Sequence, residues 1–230
     1  METADGVTCW TQSSDKHVEA SIKNVEAKLK EKGNKLPTKC ITPFTSTHKP
    51  DRDVSPELGA EGLRCFQELI GVLRWACELG RCDILLEASL LSSHLAMPRE
   101  GHLEQAIHIF GCLKCNPKRR IAFDPDHPTV NESRFKRFDW HEFCGDAKES
   151  IPENRPPERG NGVTTHCFVD ANLAGDTLTR RSQTGILIFV NRAPIIWYSK
   201  RQNQVEASTC GSETMAMKNA IELILSLIHI

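Results

Sequence analysis

Two hundred and thirty residues, 39% of them hydrophobic, suffice for one ordinary domain or two small ones with a real core, which argues against a disordered tail. Lysines and arginines number 29 against 30 acids, a formal net charge of -1, so no global positive field draws the chain to nucleic acid or to an anionic membrane, and any such binding needs a local patch. No apolar run approaches the roughly 18 residues of a membrane span, and the start METADGVTCW lacks the basic-then-apolar layout of a signal peptide; a cytoplasmic or nuclear setting, with no membrane partner and no secretion, is expected.

Val18, Ile22, Val25 and Leu29 recur at helical spacing until Gly33-Asn34 stops the pattern. Residues 34–56 carry Pro37, Pro43, Pro50 and Pro56 among many Thr and Ser, a connecting loop. From Leu63, the positions Phe66, Leu69, Ile70, Leu73, Ala76 and Cys77 trace one helix face, ended by Gly80. Ile84, Leu85, Ala88, Leu91 and Leu95 trace a second helix, ended before Pro98. Leu103, Ala106, Ile107, Phe110 and Leu113 trace a third, closing near Asn116-Pro117. Three linked amphipathic helices predict a small bundle-like unit.

Prolines return between Asp124 and Gly162, broken by the aromatic patch Phe135, Phe138, Trp140 and Phe143, which reads as a linker laying a few aromatics on a neighbour. Beyond residue 162 the period shortens to that of strands: Val163–Ala171, Thr184–Val190 and Ala193–Ser199, with Asn191-Arg192 as a hairpin turn. A last helix carries the stripe Glu213, Ala216, Met217, Ala220, Ile221, Ile224, Leu227 and Ile228.

Ten cysteines run from Cys9 to Cys210 in a chain with no export signal, so reduced thiols are expected. The tight pair Cys112-Leu-Lys-Cys115 has His108 four residues before it and His102 further back, which invites a zinc reading. Against it, Ile107, Phe110, Cys112 and Leu113 belong to a helical apolar pattern, and no second Cys-x-x-Cys completes four ligands. Packed or exposed free thiols are the expectation.

Glu213 is the odd member of its stripe, since a carboxylate aimed at a sheet needs a reason. One reading is an acid in the first turn favoured by the helix dipole. The other needs a second acid, and Asp170, ending the apolar strand Cys167-Phe168-Val169, supplies it: two carboxylates there suit a hard cation. By itself Asp170 also reads as a turn residue at a strand end.

The runs Phe168-Val-Asp-Ala-Asn-Leu-Ala-Gly-Asp176, Arg180-Arg-Ser-Gln-Thr-Gly-Ile186, Pro194-Ile-Ile-Trp-Tyr-Ser-Lys200 and Ser208-Thr-Cys-Gly-Ser-Glu213 resemble, in order and spacing, the ribonuclease H region of copia-type LTR retrotransposon Pol polyproteins. Upstream, Gln67–Trp75, Gly80–Ile84 and Ser92–His102 resemble the segment that joins reverse transcriptase to that nuclease. The resemblance implies an α/β (α+β overall) chain: residues 1–56 a remnant of the reverse transcriptase end, 57–116 a helical connection unit, 117–162 a Pro-rich linker, and 163–230 an incomplete ribonuclease H-like domain of three antiparallel strands and one helix. It implies that Asp170 and Glu213 are the first two Mg²⁺-binding catalytic carboxylates. The remaining aspartates of that family lie on a strand and helix beyond this one, so Mg²⁺ binding is expected to be weak or absent and the chain inactive alone. No Tyr-x-Asp-Asp polymerase motif occurs, Tyr198 being the only tyrosine. The family shows Asp-Ala-Asp where Asp170-Ala-Asn172 stands, and the ending Leu225–Ile230 departs from its basic continuation, as a frameshift, splice or premature stop would produce.

Arg180, Arg181, Lys200 and Arg201 flank the strands and are the candidate contacts to the phosphates of an RNA·DNA hybrid, read through shape and backbone. The partners implied are that hybrid and the remainder of the Pol polyprotein. The alternative is a non-enzymatic interaction or scaffold module derived from a degenerate transposon, in which both acids are incidental.

Overall fold

The computed structural model describes every residue except 1, 3–5, 46–47, 130–132, 134–138, 140, 148–149, 151–152, 155–156, 158–159 and 229–230, and the side chain of Ile228. Helix α1 (Asp15–Glu31) buries Val18, Ile22, Val25 and Leu29, which at spacings of three, four and seven fall on one face. They meet Phe66, Leu69, Ile70 and Leu73 of α2 (Ala60–Glu78) and Ala106, Ile109, Phe110 and Leu113 of α4 (Glu100–Cys115) in one core. The loop after α1 adds Leu36 to it. Helix α1 and Leu36 therefore share the core of the helical unit, so the boundary drawn at residue 56 is no break in that core. Prolines between helices mark a change of local structure, not of packing.

Gly80, with φ +105°, ends the turn after α2 in the left-handed region, where a Cβ would also meet Ile121 Cδ1 at 3.0 Å. A 3₁₀ turn over Cys82–Ile84 then leads into α3, which is only eight residues long (Leu85–Ser92). The helix expected to reach Leu95 stops early. Its apolar positions surround the axis because α3 is covered twice, by the helical core through Ala88 and Leu91 and by the β-sheet on its other side.

Two strands were not legible in the pattern. β1 (Trp10–Ser13) pairs antiparallel with β2 (Arg120–Phe123), with Trp10 opposite Phe123 and Ser13 opposite Arg120. Of the aromatic patch expected to dock on a neighbour, Phe135, Phe138 and Trp140 lie outside the described residues, and Phe143 is exposed in the short helix α5 (His141–Cys144).

The second sheet is antiparallel in the order β3-β4-β5 (Thr165–Ala171, Gln183–Val190, Ala193–Arg201). The Asn191-Arg192 turn is present, with Asn191 at φ +53°, a conformation asparagine tolerates better than most residues. Its side-chain oxygen accepts the Thr164 N–H at 2.8 Å and its amide donates to the Pro125 carbonyl at 2.7 Å, which fastens residues 124–125 to the hairpin end of the sheet. A register shift at Ile188/Phe189 places a bulge beside Pro194, on the strand at the sheet's edge. Helix α6 (Thr209–Ile228) covers one sheet face, with Ala220, Leu223 and Ile224 against Val169, Ile186 and Ile188.

The other sheet face leans on the helices. Trp197 Nε1 donates to the Cys77 carbonyl at 2.8 Å, Ser89 donates to the Ser199 carbonyl at 2.8 Å, and the Gln183 amide donates to the Ser89 hydroxyl at 3.0 Å. Asp51 accepts the Thr177 N–H at 2.7 Å and its hydroxyl as well, while Arg52 donates to that hydroxyl oxygen at 3.0 Å. Among the described residues no helix is long and apolar enough to cross a membrane.

Candidate active site

Asp170 is the penultimate residue of β3, paired with Gly185 and exposed. Alternation along the pleat decides its face. Cys167 and Val169 join the core under α6, so Phe168 and Asp170 point the other way, and both line an open cavity with Leu187, Trp197 and the α3 residues Leu85 and Leu86. Glu213 stands near the start of α6 and is half-buried.

The face of α6 that meets the sheet is turned relative to the expected stripe. Ser212, Ala216 and Ala220 are buried at spacings of four, whereas Met217 is 57% and Ile221 50% exposed. Small side chains let the helix lie close to the strands, and Glu213 falls on the rim of the buried face instead of at its head. Gln202 holds this end together: its amide donates to Thr184 Oγ1 at 3.0 Å and to the Ser212 carbonyl at 2.9 Å. Thr184 pairs with Ala171, the neighbour of Asp170. Both acids thus sit at one end of the sheet, Asp170 on the face away from α6. Carboxylates are the right donors for Mg²⁺ in kind, but not here in number: among the described residues neither belongs to a group of three His, Cys, Asp or Glu side chains close enough to share an ion. The residues present do not by themselves make that metal site.

The loop after β3 is tightly tied. Asn172 Oδ1 accepts the Gln183 N–H at 2.8 Å, and the amide lies so close to Gly175 that a Cβ there would come within 2.2 Å of it. Asp176 accepts the N–H groups of Leu178 at 3.1 Å and Thr179 at 2.9 Å and pairs with Arg201 at 2.7 Å. Burial would raise its pKa, yet the Thr179 bonds and the Arg201 charge hold it below the usual carboxylate range. Asp176 therefore clamps the loop and is committed there.

Of the four cations singled out, Arg181, Lys200 and Arg201 line a groove of about 470 Å³ between α2, α3 and the end of β5, joined by Arg74. Arg201 is engaged by Asp176, while Arg74, Arg181 and Lys200 form no ion pair among the described residues. Arg180 is exposed outside this lining, at φ +58°. Arg74, carried by the helical half, was not visible as a groove residue because only the docking of the sheet onto α2 and α3 brings it there.

His94 lines the adjoining cavity with Asp51, Asp176 and Arg201 and stacks on His102 with ring centroids 4.2 Å apart. Burial, with His102 and Arg201 beside it, pushes its pKa down to about 4. The unfolded chain takes up this proton near pH 6.5 and the folded chain only near 4, so stability is full above about 6.5 and is lost as pH falls toward 4. Urea unfolding at pH 7.5 and 4.5 is expected to differ by roughly 1–2 kcal/mol from this ring, discounted for its solvent contact, and His94→Gln should flatten the difference. An unchanged slope in the variant would assign the acid sensitivity elsewhere.

Over 154 residues, 67% of its length, the chain is 32% identical to the retrovirus-related Pol polyprotein from transposon RE2 of Arabidopsis thaliana, and over 154 residues it is 24% identical to that from transposon RE1 of the same plant. The similarity is to transposon Pol polyproteins. The chain spans 8% of the length of each of these relatives. A shorter likeness, 38% over 55 residues, relates 24% of the chain to 39% of secreted RxLR effector protein 161 of Plasmopara viticola. No family model and no solved structure matches.

Proposed function

We propose that the chain is the part of a copia-type Pol polyprotein where the end of the reverse transcriptase region meets a ribonuclease H-like unit, and that Asp170 and Glu213 are two of that unit's Mg²⁺-binding carboxylates. The observation that carries this reading is the placement of both acids at one end of a three-stranded antiparallel sheet packed under α6, in a chain similar to Pol polyproteins over two thirds of its length. The groove holding Arg74, Arg181 and Lys200 would receive the backbone of an RNA·DNA hybrid. Mg²⁺, when bound, would activate water and stabilise the leaving oxygen of a phosphodiester. Two acids are too few to fix a pair of ions, so further carboxylates are required for cleavage.

The competing reading is a non-enzymatic interaction module, favoured by the separation of Asp170 from the α6 face. A labelled RNA·DNA hybrid distinguishes them. The 230-residue chain is expected to bind it in a salt-dependent manner, to lose affinity on Arg181→Ala and Lys200→Ala, and not to cut it with Mg²⁺. A version extended through the further strand and helix that the ribonuclease H resemblance implies is expected to cut, and to lose activity on Asp170→Asn or Glu213→Gln, each of which removes a charged ligand at nearly constant volume. Cleavage indifferent to both substitutions would refute the site; Mg²⁺-dependent cutting by the 230-residue chain would refute the ligand count.

A further inference from the structure

Among the described residues, the one group of three metal-ligating side chains drawn together includes neither of the acids just discussed: it is Cys40, His108 and Cys112, whose ligand atoms all lie within 4.8 Å of one another. Cys40 comes from the loop after α1, His108 and Cys112 from successive turns of α4, four residues apart and hence on one face. Cys40 and Cys112 are buried.

The imidazole is already oriented. His108 Nε2 lies 3.1 Å from the Thr42 carbonyl, and since a carbonyl only accepts, Nε2 carries the hydrogen. The neutral ring then presents the lone pair of Nδ1, which lies 3.9 Å from Cys40 Sγ. Fixing one ring nitrogen on a carbonyl so that the other faces the ion is how ligating histidines are held. In a tetrahedral zinc site with Zn–S about 2.3 Å and Zn–N about 2.0 Å, neighbouring S and N atoms stand about 3.6 Å apart, so the Cys40–His108 pair needs to close by only a few tenths of an ångström.

Two further features support a built arrangement. Gly111 lies inside α4, where glycine costs roughly 1 kcal/mol relative to alanine. A Cβ there would stand 2.9 Å from Cys40 Sγ, so the glycine leaves room for that sulfur against the helix. Cys115 completes the Cys-x-x-Cys pair and reaches over the same loop, 3.5 Å from the Thr38 carbonyl.

We infer that Cys40, His108 and Cys112, with Cys115 swinging in from the surface, form a structural zinc site that fastens the loop after α1 to α4. Three thiolates and one imidazole are a closed tetrahedral set suited to Zn²⁺, and soft sulfur donors exclude Mg²⁺ and Ca²⁺. Binding releases one proton from each thiol as its sulfur bonds the metal; no oxidation is involved.

The full chain, purified with a phosphine reductant and stripped by a chelator, is titrated with Zn²⁺ and Co²⁺, and bound metal is counted by mass spectrometry. One zinc per chain is expected, with the visible absorption of tetrahedral cobalt thiolate. Cys40→Ser and Cys112→Ser are expected to weaken zinc binding ~100-fold or more, since loss of a supporting group alone costs 10–100-fold. The exposed Cys115→Ser, which leaves the core untouched, should keep the fold by circular dichroism and shift the cobalt spectrum. Cys210→Ser, at an exposed thiol elsewhere, should change nothing. No zinc retained by the wild-type chain, zinc retained by the Cys40→Ser/Cys112→Ser chain, a cobalt spectrum unmoved by Cys115→Ser, or a Cys40–Cys112 disulfide persisting under reductant would overturn the assignment.

Discussion

Asp83→Ala is expected to destabilise the protein by about 3–5 kcal/mol, because it removes the partner of a buried guanidinium. Arg81 is 1% exposed, and it meets Asp83 through two parallel bonds of 2.8 Å each. Burial would raise the Asp83 pKa, but the Arg81 bonds and charge, with Arg119 at 3.5 Å, hold it below the usual carboxylate range. Nη1 of Arg81 has no hydrogen-bond partner among the described residues, so little remains to hold the charge once Asp83 is gone. Removing both charges differs from removing one: Arg81→Met with Asp83→Leu should recover most of the loss, since the attraction of a buried pair largely offsets its own desolvation. Urea unfolding of the single and double variants checks this, and a single-variant cost under about 1 kcal/mol would mean that water reaches Arg81.

Phe66→Ala is the second large expected effect. Phe66 is fully buried among α1, α2 and α4 and faces the ring of His102 at 6.4 Å between centroids. Truncation removes its transfer free energy and leaves a cavity that helices on three sides do not refill, about 3–5 kcal/mol, or roughly 10–15 °C in melting temperature for a chain of this size. Trp10→Ala removes a larger side chain that is 87% exposed and should change stability by less than about 0.5 kcal/mol. The contrast measures burial, not side-chain size. Equal effects of the two would place the core elsewhere.

What the sequence disclosed and what it hid divide along the range of the interaction. α2, α4 and the strands β3–β5 follow from periodicities inside their own residues, and the observed bounds fall close to those expected. β1 and β2 have four residues each, without alternation, and exist through partners 107 to 113 positions apart, Ser13 with Arg120 and Trp10 with Phe123. The face of α6 was misjudged because Met217 and Ile221 are apolar yet exposed, and periodicity alone weighs every apolar residue equally. The side of the sheet on which Asp170 lies was readable, since it shares the parity of Phe168 and not of Val169. Cys40 offered no local signal: it comes to the Cys112 pair only through the packing of α1 on α4, 68 residues from His108.

The Thr177 contacts with Asp51 and Arg52, and those of Ser199 and Trp197 with Ser89 and Cys77, bear on how such a chain is inherited. A loop that begins two residues after Asp170 takes its position from side chains more than a hundred residues upstream. Recombination between related elements that exchanged only the sheet-bearing half would bring in a loop cut to fit another helical surface. Blocks that carry residues 51, 52 and 89 together with the strands would keep these contacts, so exchange is expected to favour moving the two halves together although, among the described residues, no strand pairing joins them.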